Sequence, residues 1–149
     1  MNGIYFEDIE VGRKVAEPGT YEVTRDEIIE FARRWDPRPF HIDEDAAAAS
    51  IFGGLAACSA HIFSILSWFA SRGQGRTATL AALGFDQMCM HRAVRPGDTL
   101  SCDIQCLEKR ESRSKADRGI VRYRRSLTNQ HNEVVFSVIV TILVARRPF

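Results

Sequence analysis

Apolar residues recur at helical spacing in one part of this chain and at strand spacing in others, and the contrast predicts the order of elements. Ile28, Phe31, Ala32 and Trp35 fall at i, i+3, i+4 and i+7, the stripe of an amphipathic helix. Thr24-Arg25-Asp26-Glu27 ahead of them reads as a capping box, with the Thr24 hydroxyl on the Glu27 N–H and the Glu27 side chain reaching back. Pro37 disfavours the helical conformation at the residue before it, so this helix should stop at Asp36. Asp43 is placed to cap a short second helix through Ala49. Gly53-Gly54 then breaks the chain. From Leu55 to about Ser71 there is no Gly or Pro and apolar residues occur on every face, which predicts one long buried helix. At roughly 25 Å it is short of a membrane span, and it carries Ser59, His61, Ser64 and Ser67.

After Gly73-Gln74-Gly75 the period changes. Ala78 to Met90 is apolar and strand-compatible, and Arg95-Pro96-Gly97-Asp98 is a turn. Thr99 to Leu107 alternates, with Leu100, Cys102, Ile104 and Cys106 on one face. Gly119 to Leu127 and Glu133 to Val144 are further strands, joined by a turn at Asn129-Gln130-His131-Asn132. Before the first helix, Phe6 to Lys14 reads as an arm turning at Gly12, and Tyr21 and Val23 fit a short strand. An early buried helix followed by a run of strands predicts an α+β domain, one antiparallel sheet packed on the helix. At 149 residues the whole chain, 1–149, is expected to be a single domain.

Composition narrows the class. A net charge of +1 argues against a dedicated nucleic-acid binder. Cys58, Cys89, Cys102 and Cys106 include no CxxC pair, so no zinc ribbon or dithiol redox motif is indicated. Cys102 and Cys106 are expected on a strand's inner face as small hydrophobes. Glu7, Asp8 and Glu10 sit where a signal peptide would be apolar, and the expectation is a reduced, cytoplasmic protein. Charge concentrates between Glu108 and Arg125, where eight basic residues face three acidic ones, a local net of +5.

The candidate chemistry lies in Asp36-Pro37-Arg38-Pro39-Phe40-His41-Ile42-Asp43. A carboxylate and an imidazole stand five residues apart on a segment stiffened by two prolines. From these residues alone, Asp36 could simply close its helix and His41 could be a hydrogen-bonded loop histidine. Asp43 and Asp98 are expected as a cap and a turn residue, His61 as a core residue, and His91 and His131 at the surface.

With the following alanines, Phe52-Gly53-Gly54-Leu55-Ala56 and Val94-Arg95-Pro96-Gly97-Asp98-Thr99-Leu100, this block resembles the MaoC-like dehydratases, the (R)-specific enoyl-CoA hydratase family, over nearly the whole chain. The resemblance implies a hotdog fold, a sheet wrapped around a long central helix. It implies hydration of a trans-2-enoyl-CoA, or dehydration of a 3-hydroxyacyl-CoA, within fatty acid metabolism. It carries over a water-holding role to Asp36 and His41, and an oxyanion role to the backbone N–H of Ser59. Two positions depart from the family's pattern: Arg38 stands where Asn is common, and Ser59 where Gly is usual.

Such chemistry requires a proton taken from water, a proton given to the α-carbon, and stabilisation of charge on the thioester oxygen. Free amides behind Gly53-Gly54 could serve the last need, with Gly54, Ala56 and Ala57 beside the acyl chain. The basic stretch offers Arg122 and Arg124 as a landing site for the phosphates of coenzyme A, or simply as a solvated strand face. No metal and no cofactor is expected beyond the coenzyme A of the substrate, and no nucleic-acid or membrane partner. The resemblance implies a homodimer with its two sheets side by side. A non-catalytic acyl-CoA-binding hotdog module and a hotdog thioesterase are the alternatives. The absence of Asp and Glu from Leu55 to Ser71 counts against the thioesterase.

Overall fold

The computed structural model describes residues 3–72 and 76–148. The expected break at Gly73-Gln74-Gly75 lies outside the described residues. Six strands form one antiparallel sheet: β1 (Lys14–Ala16), β2 (Tyr21–Glu22), β3 (Thr79–Met90), β4 (Thr99–Glu111), β5 (Arg118–Thr128) and β6 (Val134–Ala145). Their order is β1-β4-β5-β6-β3, with β2 also paired to β4. Four helices, α1 (Arg25–Trp35), α2 (Pro39–Ile42), α3 (Glu44–Ala48) and α4 (Ser59–Arg72), complete the α+β domain. Among the described residues no helix is long and apolar enough to cross a membrane.

The core forms where α4 lies on the sheet. Ile62, Ile65, Leu66 and Phe69 of the helix are buried with Val121, Tyr123 and Leu127 of β5 and Phe136, Val138 and Val140 of β6. Alternation along β5 is complete from Gly119 to Asn129, because side chains on a strand point to opposite faces in turn. Leu100, Cys102 and Cys106 are buried on β4 as expected, with free thiols.

Four expectations change. The central helix starts at Ser59, not Leu55; Leu55 to Cys58 are a non-helical lead-in, held by the Ala57 N–H on the Val94 carbonyl at 2.9 Å. One side of that helix is open, with Ala60, Ser64, Ser67 and Ala70 exposed. Trp35 ends the predicted stripe but is 64% exposed, with the Arg34 guanidinium over its ring. Only half of the capping box forms: Thr24 accepts from the Glu27 N–H at 3.2 Å, while the Glu27 carboxylate turns to the Tyr21 hydroxyl and His61.

Among the described residues β3 pairs only with β6 and its other edge is open. Its pairing slips three times, and Gln87 sits at φ 50°. Leu80, Leu83, Phe85, Met88 and Met90 are exposed along it. A long apolar edge strand is a template for pairing with another chain.

Candidate active site

Asp36 and His41 are brought together by the way α1 ends. The Asp36 N–H still reaches the Ala32 carbonyl at 2.8 Å, but its own backbone leaves the helix at φ −154°, ψ 74°. Pro37 blocks continuation, and Pro39 starts α2 within a few residues, since its fixed φ suits a first helical turn. α2 carries His41 back towards Asp36, and Asp43 stops it while capping α3 through the Ala46 N–H at 2.9 Å. The result places His41 Nε2 3.6 Å from Asp36 Oδ2.

The imidazole is buried, at 5% exposure, against the ring of Phe40. Its Nδ1 lies 2.6 Å from the Ala56 carbonyl oxygen. A carbonyl only accepts, so Nδ1 carries the proton and the Nε2 of the neutral ring is an acceptor. Nε2 therefore faces Asp36 Oδ2 as one acceptor facing another. A molecule with two protons, such as water, can bridge such a pair.

The Arg38 guanidinium donates to the same Asp36 oxygen at 3.2 Å. The carboxylate thus has a cation on its solvent side and the histidine on its inner side.

The start of α4 meets this pair. Ser59 is the first helical residue, so its N–H has no intrahelical acceptor, and the positive end of the helix dipole falls there. Cys58 precedes it. Burial pushes the Cys58 thiol up; the backbone amides of His61 and Ala60 pull it down, and the negative charge of Asp36 pushes it up again. The Ala56 carbonyl that meets His41 Nδ1 lies three residues before Ser59, which sets the histidine near the lead-in to α4. A carboxylate, an imidazole with a free lone pair and an unused helix amide thus share one region.

Arg95 holds this region in shape. Its guanidinium donates to the Gly54 carbonyl at 2.8 Å, the Leu55 carbonyl at 3.3 Å and the carbonyl of Phe52. The sequence places Arg95 in a turn and in the block that carries the family resemblance, with no sign of this clamp. The turn does form, with Gly97 at φ 86° and buried Asp98 accepting from the Arg95 N–H at 2.8 Å. Nothing in the local sequence signals a clamp across forty residues.

Gly54 lies inside that clamp, and Ala56 and Ala57 are buried in the non-helical lead-in rather than on the helix. The Ala56 contribution to the pair is its carbonyl. Arg122 and Arg124 alternate with buried Val121, Tyr123 and Arg125, so they point to the sheet face away from α4. Arg122 stands 3.7 Å from Glu108 and 4.0 Å from Asp86. Within one chain they are not brought together with Asp36 and His41.

A second imidazole–carboxylate contact sits on the far side of α4's first turn. His61, 1% exposed, is stacked on Phe31 and has Nε2 3.1 Å from Glu27 Oε1. That contact falls short of hydrogen-bond geometry, and neither ring nitrogen has a hydrogen-bond partner among the described residues. Its partner Glu27 also binds Tyr21, whose hydroxyl is pushed up to about 12 by burial first and by Glu27 second.

A sheet wrapped around one long helix is the hotdog architecture. Residues 7–128 match the model of the MaoC-like domain, and the chain belongs to that family. The structure is similar to a MaoC-like dehydratase from Rhodospirillum rubrum, at 34% identity, covering 99% of this chain and all of that one, with a TM-score of 0.91. The (R)-hydratase PhaJ1 of Pseudomonas aeruginosa has the same fold, at 24% identity over 97% of this chain and 88% of its own, TM-score 0.78. An uncharacterised protein of Bacillus subtilis, YdeM, is 26% identical over 89% of this chain and 94% of its own.

Proposed function

We propose that the protein is an acyl-thioester hydratase/dehydratase that interconverts a trans-2-enoyl-CoA and a 3-hydroxyacyl-CoA. The observation that carries the reading is Asp36 Oδ2 and His41 Nε2 facing one another across 3.6 Å. A water held there gives one proton to each acceptor and keeps an oxygen lone pair free. As that oxygen bonds to the β-carbon, Nε2 takes one water proton, and the imidazolium then returns it to the α-carbon. The other proton, hydrogen-bonded to Asp36, stays on the new hydroxyl, so the step balances. The Ser59 N–H at the start of α4 faces the charge that develops on the thioester oxygen.

Hydration of crotonyl-CoA, followed by loss of the enoyl absorbance, tests this in wild type and Asp36→Asn side by side. Loss of one partner of an acid/base pair is expected to lower kcat by roughly 10²–10⁴-fold. Retained activity in both Asp36→Asn and His41→Ala would move the chemistry to other residues. The open apolar edge of β3 and the family resemblance together support a homodimer joined at that edge.

A further inference from the structure

An apolar groove of about 280 Å³ runs between α4 and the sheet, with Phe63 and Leu66 on the helix side and Phe85 and Val140 on the sheet side. Phe63 lies one turn below Ser59, and the groove continues to Ala70, roughly 16 Å along the helix from Ser59. There it shares Ala70, Thr79, Tyr123 and Arg125 with a second cavity of about 400 Å³.

The second cavity is charged. Arg13, Arg76 and Arg125 line it against Asp8, Glu10 and Glu17. Asp8 pairs with Arg147 from outside the lining, Glu10 with Arg13 and Glu17 with Arg125, so Arg76 leaves the lining with one positive charge in excess.

Arg125 is 8% exposed and stands on the inward face of β5 among apolar neighbours. Glu17 meets its Nη1 at 3.3 Å, in a single contact that leaves most of the five guanidinium donors uncommitted to a carboxylate. An ion pair so deeply placed does little for stability that apolar residues of the same volume would not do as well. A plain alkyl end arriving here would desolvate the pair further and give nothing back.

We propose that this cavity is the far end of the acyl site and selects a thioester whose chain ends in a carboxylate, bound by the free edge of the Arg125 fork. The proposal rests on the acyl-thioester reading of Asp36 and His41, but its test does not require turnover.

Equilibrium binding of octanoyl-CoA and of suberyl-CoA, its ω-carboxylate counterpart, is measured for wild type, Arg125→Met and Glu17→Gln. Wild type should bind suberyl-CoA more tightly by about tenfold or more, the scale of a charge-assisted contact. Arg125→Met should abolish that preference while sparing octanoyl-CoA. Glu17→Gln leaves the arginine in place and removes a competing carboxylate, so it should widen the preference, which keeps a readout if Arg125→Met does not fold. Equal or weaker binding of suberyl-CoA by wild type overturns the proposal, as does a preference that survives Arg125→Met. Crotonyl-CoA hydration, read separately, decides the hydratase reading, so the two can fail independently.

Discussion

Replacing Arg95 with Met removes three donors from the carbonyls of Phe52, Gly54 and Leu55 while keeping a side chain of similar length. Those carbonyls precede Ala56, whose own carbonyl fixes the proton on His41 Nδ1. Hydrogen bonds from a charged group contribute about 1.5–3 kcal/mol each, and three sharing one partly buried guanidinium do not add in full. The expected loss is therefore about 3 kcal/mol, read as a lower urea midpoint at unchanged slope. Arg95→Lys, which has a point charge rather than a fork, should recover only part of it. The second consequence is catalytic. The Ala57 N–H remains on the Val94 carbonyl, so the lead-in should shift rather than detach. A shift near 1 Å at the histidine costs about 10²-fold. Crotonyl-CoA kinetics should then show kcat reduced by about ten- to a hundredfold, with KM moved much less. A Met variant within about 0.5 kcal/mol of wild type and with unchanged kcat would refute the idea that Arg95 shapes the site.

Other outcomes follow from the same geometry. A Cβ at Gly119 would overlap Cδ2 and Cε2 of the buried Phe6 ring and lie 2.8 Å from its Cζ, so Gly119→Ala should cost about 1–3 kcal/mol; pairing it with Phe6→Leu should restore part of that in urea titrations. Burial raises the Cys102 thiol from 9.0 to about 12 and the Tyr123 hydroxyl from 10.0 to about 12. Both groups hold their protons more tightly when folded, so their stabilisation is complete below pH 9, declines as the unfolded chain ionises, and is lost by about pH 12. Urea midpoints across that range should fall, and the fall should be shallower in Cys102→Ala; midpoints that stay level would contradict the assigned burial.

Much of this was legible in the sequence because local rules and tertiary contacts agreed. The Pro37 stop, the Asp43 cap, the Gly97 turn and the alternation of β5 each follow from one residue's backbone chemistry or from a period of two. The failures share a cause. Glu27 satisfied the local rule for a capping box, but a buried imidazole and a phenol drew it away from the helix end. Leu55 to Cys58 had helical composition, yet a bond to the Val94 carbonyl and the Arg95 clamp kept them out of the helix. Trp35 fitted the apolar stripe, but α1 outruns the core by one turn. Asp36 and His41 could be found because they lie on one short stiff segment. Arg95 could not, because its role depends on contacts across the fold.

The exposed indole at position 35 makes the protein self-reporting. Trp35 is bonded directly to the residue that faces His41 and lies open to solvent, while Trp68, the other tryptophan, is wedged edge-on between Tyr21 and Phe69. The two therefore emit from different surroundings, one open to a dissolved quencher and one half-buried. If a thioester seats against Asp36 as proposed, the emission and quenching of the first should change more than those of the second. Fluorescence of the native chain would then follow occupancy of the proposed site, with Trp68 as the internal standard.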